Sequence, residues 1–169
     1  AISRERKHLD PIAANADLLI DTTDLTPRAL RDMITSRLVQ QRDGLSVLFE
    51  SFAFKRGVPT DADFVFDARA LPNPYWQDKL RSQTGLDTEV IQFLERDARC
   101  LAFFAKLKDF IAGVLRDFDE SDRSYMTIAI GCTGGQHRSV YLTEKLHRDL
   151  ITQFPAAQIR HRDLQEAGS

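Results

Sequence analysis

Residues 125–139 read YMTIAIGCTGGQHRS, and the fold turns on how that run is parsed. Met126, Ile128 and Ile130 alternate with Tyr125, Thr127 and Ala129. Both sets can be buried, as in a central strand of an α/β sheet covered on its two faces. Past the glycines, Leu142, Leu146, Leu150 and Phe154 recur every four residues, the spacing of a helix with one buried stripe. The stretch is therefore a strand, a glycine loop and a helix. The class expected is α/β, with a mixed central sheet flanked by helices.

Upstream, LSVLFESFAFKRG supplies Val47, Phe49, Phe52 and Phe54 as strand formers, and ADFVFDARAL places Phe64 and Phe66 on one face of a second strand. PNPYW breaks regular structure, because its two prolines fix φ and remove donors. TGLD is a turn whose Asp87 can cap the helix TEVIQFLERD. From Asp97 to Phe118 a long amphipathic helix is expected, with Leu101, Phe104, Leu107, Ile111 and Leu115 on one side. AAQIRHRD reads as a last edge strand. Ahead of all this, ADLLIDT resembles a short buried strand. LTPRALRDMITSRLVQQ reads as a helix capped by Thr26 and opened by Pro27, with Leu30, Met33, Ile34 and Leu38 at helical spacing. A change of pattern near Asp43 and Gly44 suggests two domains, 1–43 and 44–169.

The chain of 169 residues, 43% hydrophobic, can bury a real core, and its formal charge of -2 excludes a global positive field for nucleic acid. An RNA site would have to be a local patch. Two cysteines, Cys100 and Cys132, give no disulfide framework and fit a reducing compartment. No apolar run approaches the roughly 20 residues that cross a bilayer, and no signal peptide is visible. A cytoplasmic location is expected. The chain opens on Ala1, and a piece of a longer protein is expected.

The loop itself is a chemical object. Its glycines let a ligand approach the backbone, and the first amides of the following helix point outward, unpaired, with partial positive charge behind them. Phosphate, sulfate or carboxylate suits such a place. Arg138 adds a planar fork of donors, His137 a further donor and Ser139 a hydroxyl. The rival is a turn that only joins strand to helix. Within the cradle, Cys132, Arg138 and Ser139 have the C-x5-R-S spacing of cysteine-dependent phosphatases, where a thiolate attacks the phosphate the loop holds. Gly131 stands where those enzymes usually have histidine. Asp67, Asp78 and Asp87 are all open as the general acid. No ligand spacing for zinc or another metal is present.

GCTGGQHRSVY, SFAFKRGVPTDADFVFDARALPNP and DRSYMTIAI closely resemble the C-terminal domain of the RapZ, or YvcJ, family of RNase adapter proteins. The resemblance runs from about Gly44 to about Asp163. The opening piece is similar to the tail of that family's N-terminal P-loop domain, whose phosphate loop is not in this chain. The resemblance implies a full-length protein that binds ATP or GTP through that missing part. It also implies a C-terminal domain that binds small regulatory RNA and senses glucosamine-6-phosphate. The implied partner is an endoribonuclease such as RNase E, and the family is oligomeric. No cofactor is implied for this piece beyond the sugar phosphate or a similar anion as ligand. Matching the motifs puts Tyr125, Cys132, Thr133, Gly134, Gly135 and Arg138 at the pocket, with Gln158 beside it. Tyr75 stands where the family has histidine. Asp163 and Glu166 stand where its basic tail would be, which weakens RNA contacts.

For RNA, Lys55 and Arg56 offer phosphate contacts or else a solvated hairpin end. Arg69 faces the cradle by resemblance. Arg96 sits at a helix end that favours cations in any case. Arg160, His161 and Arg162 form the densest basic spot. Tyr75 and Trp76 can stack bases or pack their loop. Cys100 belongs to the core. The mechanism expected is binding without turnover.

Overall fold

The computed structural model describes residues 45–121, 123 and 125–164 and, before them, Thr22, Thr26, Pro27, Leu30 and Ile34. The chain divides into two compact units, Ala1–Val39 and Gln40–Ser169. In the first, Pro27, Leu30 and Ile34 are helical, and the Leu30 amide donates to the Thr26 carbonyl at 2.9 Å. That is the helix start expected at Thr26 and Pro27. The expected ADLLIDT strand, Met33 and Leu38 lie outside the described residues.

The second unit holds β1 (Ser46–Ala53), β2 (Phe64–Asp67), α1 (Thr88–Glu95), α2 (Ala98–Asp119), β3 (Tyr125–Cys132), α3 (Arg138–Leu150) and β4 (Gln158–His161). The sheet has four strands in the order β2-β3-β1-β4. The expected α/β architecture is present, and every pairing is parallel, not mixed in direction. Parallel strands need crossovers long enough to return the chain, and α1, α2 and α3 supply two of the three. The third, 54–63, joins β1 to β2 without an α-helix and passes β3 on the way. Lys55 and Arg56 therefore lie in a 3-10 turn, Phe54–Arg56, and not at a hairpin end, since β1 and β2 do not pair.

Register explains which face becomes core. Val47 pairs with Met126, Phe49 with Ile128 and Ser51 with Ile130. The apolar members of this face join the cluster that contains Val90, Leu94, Phe104, Ile111, Leu142 and Leu146 of the helices. On α2 the buried stripe is Cys100, Phe104, Leu107, Ile111 and Leu115, while Leu101 is 44% exposed. The expected stripe was thus one residue out at its first turn. The helix starts at Ala98, where the Asp97 side chain caps the Arg99 amide at 2.8 Å, and that phase points Cys100 inward. Leu142, Leu146 and Leu150 are buried on α3 as their spacing requires, while Phe154, also buried, lies past the helix end and closes a turn, its amide on the Leu150 carbonyl at 2.9 Å. PNPYW does form one short element, a 3-10 turn at Pro74–Trp76 that begins from Asn73.

Candidate functional site: the glycine loop at the carboxyl ends of the strands

In parallel α/β sheets, ligands bind beyond the carboxyl ends of the strands. Here those ends meet at one place. Ala53 of β1 pairs with Cys132 of β3, and Asp67 of β2 pairs with Gly131. The Lys55 amide donates to the Thr133 carbonyl at 3.4 Å, and the Ala68 amide to the Gly131 carbonyl at 2.8 Å.

Each glycine of the loop has its own reason. A Cβ on Gly131 would sit 2.4 Å from the Phe52 ring and 2.5 Å from the Phe54 ring. These two rings, 4.8 Å apart between centroids, occupy the space where a phosphatase-type histidine would go. Gly135 has φ +70°, a left-handed conformation, and lies against Ala53 and Asp163. Beside Gly134 there is open space, so the loop's mouth is on that side.

Cys132 is 2% exposed, with Sγ 3.2 Å from Ser139 Oγ. Burial pushes its thiol pKa up. Hydrogen bonds from the Ser139 hydroxyl and amide, the Arg138 charge and the Gly135 amide outweigh that, and the thiol ends below its ordinary range. Cys100 shows the opposite balance: burial, helped by Asp97, raises it to about 11.

The three residues that follow the glycines act as a clamp on the segment 69–85. Gln136 Nε2 donates to the carbonyls of Arg81 at 3.1 Å and Gln83 at 2.6 Å. His137 Nε2 donates to the Leu80 carbonyl at 3.0 Å, and burial holds its pKa below the ordinary value of 6.5. Arg138 Nη1 donates to the carbonyls of Arg69 and Leu71, both at 3.0 Å. Arg138 is 4% exposed, and its Nε is buried with no partner. One corner of the guanidinium is thus pinned to backbone, while Nε, on the adjacent edge, stays unspent. His137 is spent on the clamp and does not face a ligand as expected. Gly85 completes the fit. Its amide donates to the Gln136 carbonyl at 2.9 Å, and a Cβ there would meet His137 O at 2.3 Å and Tyr141 N at 2.4 Å.

The acid candidates separate cleanly. Asp67 is the one brought to the loop, by the β2–β3 register. Arg69 grips it through Nε at 3.0 Å and Nη2 at 2.7 Å, which together with the Arg138 charge keeps its pKa low. It is a carboxylate, not a proton donor. Asp78 pairs with Arg81, and Asp87 accepts from the Thr84 amide and hydroxyl at 2.7 and 2.8 Å.

Two expected pocket residues are elsewhere. Tyr125 opens β3 and Cys132 closes it, seven residues or about 23 Å apart at the usual strand rise. Gln158 pairs with Leu48, five residues before the end of β1, about 16 Å short of it by the same measure. Both lie toward the wrong end of the sheet. Thr133, Gly134 and Gly135 are in the loop, and Tyr75 is on the clamped segment, its ring 5.1 Å beneath the Arg81 guanidinium and beside the exposed Trp76.

The basic residues are mostly knitted inward. Arg69 covers the Phe54 ring at 3.9 Å. Arg56 lies 3.6 Å from Asp163. Arg160 pairs with the fully buried Glu50 at 2.8 Å. His161 bridges Ser51 at 2.8 Å and Glu144 at 3.0 Å. Arg162 holds Asp163 and the Gly57 carbonyl. Arg96 is exposed at the end of α1, away from the loop. Among the described residues no group of His, Cys, Asp or Glu side chains is placed to share a metal ion, and no helix is long and apolar enough to cross a membrane. Gln136 and Gly85 were not foreseen. Nothing in a sequence marks a glutamine or a turn glycine for partners about fifty residues away.

Comparison with known proteins adds an independent line. The RapZ C-terminal domain matches residues 45–165, and the RapZ-like N-terminal domain matches residues 1–42. A nucleotide-binding protein of Pseudomonas putida KT2440 is 50% identical over 165 residues, 97% of this chain and 58% of its own length. One from Marinobacter nauticus is 49% identical over 165 residues, 97% of this chain and 56% of its own. One from Cellvibrio japonicus is 46% identical over 167 residues, 98% of this chain and 56% of its own. The chain therefore spans just over half the length of these relatives.

Proposed function

Starting from the fact that this chain belongs to the RapZ family, we propose that residues 44–169 form a non-catalytic regulatory domain. Its glycine loop holds the phosphate of a sugar phosphate, glucosamine-6-phosphate, and the same face meets a small regulatory RNA. The whole protein is an RNase adapter in the cytoplasm. It hands RNA to an endoribonuclease such as RNase E, works as a homo-oligomer, and binds ATP or GTP through a part this chain lacks. The relatives' description as nucleotide-binding proteins agrees with that last point.

One observation carries the anion reading: Arg138. A guanidinium anchored through Nη1 with Nε buried and unspent is an oxyanion fork waiting for its second oxygen. It lies in the first turn of α3, where the helix dipole adds to it. Arg138 and the first amides of α3 would grip the phosphate, with Thr133 and Gly134 at the mouth. Occupancy can regulate RNA only if the two ligands differ in affinity for the loop's states. Competition for one cradle is the simplest form.

A cysteine phosphatase has one supporting observation, the Cys132–Ser139 contact with a lowered thiol pKa. Against it stand Asp67, locked as a carboxylate, and the phenyl rings that exclude a side chain at residue 131. Turnover of a generic aryl phosphate that vanishes in Cys132→Ser would replace the binding reading with this one.

The test of the cradle is thermal unfolding with inorganic phosphate and with glucosamine-6-phosphate, repeated with a structured RNA as competitor. A ligand at a hundred times its Kd adds about 2.7 kcal/mol. Gly134→Asp places a carboxylate at the open mouth without steric conflict, and it should abolish the shift while leaving the unliganded Tm unchanged. An undiminished shift in Gly134→Asp, or none in the parent chain, overturns the reading.

A further inference from the structure

Cys132 ends β3 at the base of the same loop, and the sulfur brings a chemistry of its own. Its Sγ is 3.2 Å from Ser139 Oγ, and amides of Ser139 and Gly135 also bear on it. The buried, unpartnered Nε of Arg138 belongs to a guanidinium whose charge acts on that sulfur. This is an electropositive environment of the kind that favours thiolate, and thiolate is the form that reacts with oxidants. Cys100, buried in the core with its thiol pushed up to about 11, provides an internal contrast within the same chain.

We propose that Cys132 is a peroxide-sensitive modification site, and that its oxidation to a sulfenic acid closes the loop to oxyanions. This rests on the reading of the loop as an oxyanion cradle. In the step, the thiolate attacks one oxygen of hydrogen peroxide. An S–O bond forms, the O–O bond breaks, and hydroxide leaves to take up a proton as water. Sulfur is oxidised by two electrons and peroxide is reduced by the same two. Two residues past Cys132 the loop is open, since a Cβ on Gly134 would meet nothing within 4 Å, and in this proposal both peroxide and the trapping reagent enter from that side. The new oxygen projects from Sγ into the region served by the loop amides and Arg138, so it takes donors that an oxyanion needs. The coupling runs both ways. A bound oxyanion spends the same donors and its charge disfavours the thiolate, so occupancy protects the sulfur. A thiol reductant restores the loop, because the sulfenic rung is reversible.

The experiment treats the whole chain with hydrogen peroxide and traps sulfenic acid with dimedone. Intact mass and peptide mapping follow, with and without inorganic phosphate, in the parent chain and in Cys132→Ser and Cys100→Ser. Labelling is expected at Cys132, several-fold faster than at Cys100, slowed by phosphate, retained in Cys100→Ser and lost in Cys132→Ser. The phosphate-dependent rise in Tm is expected to disappear after oxidation and to return with dithiothreitol. If phosphate raises the Tm of the reduced chain but Cys132 labels no faster than Cys100, or at a rate phosphate does not change, this inference falls and the cradle stands. If phosphate does not raise the Tm of the reduced chain at all, both fall.

Discussion

Gly85, packed against the loop, and Gly134, within it, have opposite tolerances. A Cβ at Gly85 would lie 2.3 and 2.4 Å from backbone atoms of His137 and Tyr141, whereas one at Gly134 meets nothing within 4 Å. Backbone at a helix start cannot swing aside as a flexible side chain can, so the added methyl must push α3 away from the 69–85 segment. Overpacking of this kind costs roughly 1–3 kcal/mol. Gly85→Ala should therefore lower stability in urea unfolding by about that much and weaken phosphate binding along with it. Gly134→Ala should do neither. Equal behaviour of the two variants would mean that the close approach at Gly85 is not what seats the helix.

At the scale of elements, the clamp predicts a pH effect. His137 is buried neutral with its Nε2–H on the Leu80 carbonyl, and its pKa is lowered in the fold. A group with a depressed folded pKa contributes stability that is complete above the unfolded value, here 6.5, and that drains away as pH falls below it, because the unfolded chain binds the proton first. His137→Gln keeps a donor for Leu80 and cannot titrate. Its stability relative to the parent chain should rise between pH 7 and pH 5, measured as the difference in Tm. A constant difference would place the histidine in solvent. The same elements show what a sequence can and cannot display. Alternation marked β3, and four-residue spacing marked α3, because each pattern is written into consecutive residues. Phase within α2 was less visible. Cys100 and Leu101 are both apolar, and only the Asp97 cap decides which of them turns inward. Register was invisible. Tyr125 and Gln158 look close to the loop along the chain or by likeness. Yet parallel pairing sends Tyr125 to the far end of β3 and sets Gln158 beside Leu48, while bringing Asp67 level with Gly131. The strand, the glycine loop and the helix opened by Arg138 were legible as one junction. That Gln136 and His137 face a segment some fifty residues away was not, because long-range partners carry no local signal.

At the scale of the whole molecule, the question is which cations are available to a polyanion. The chain's formal charge is -2, so attraction must come from particular side chains. Arg69, Arg160 and Arg162 each hold a carboxylate at 2.7–2.8 Å. Of the cations the sequence offers for RNA, Lys55 and Arg96 have no carboxylate at salt-bridge distance among the described residues, and of these two Lys55 stands at the loop, its amide on the Thr133 carbonyl. Two variants separate the roles. Lys55→Ala should lower RNA affinity and reduce the slope of log K against log salt by about 0.7–0.9, the value of one phosphate contact, with the Tm unchanged. Arg160→Met should act through the fold. It leaves the Glu50 carboxylate, fully buried and already with one oxygen unpartnered, without its cation. Removing one partner of a buried pair costs about 3–5 kcal/mol. Here about 2–3 kcal/mol is expected, because the Arg160 side chain is half exposed and solvent screens part of the interaction. RNA titrations at several salt concentrations, set beside urea unfolding of both variants, distinguish the two. A salt slope that falls with Arg160→Met while stability holds would mean that Arg160 leaves Glu50 to meet RNA, and that the basic run 160–162 is a docking surface after all.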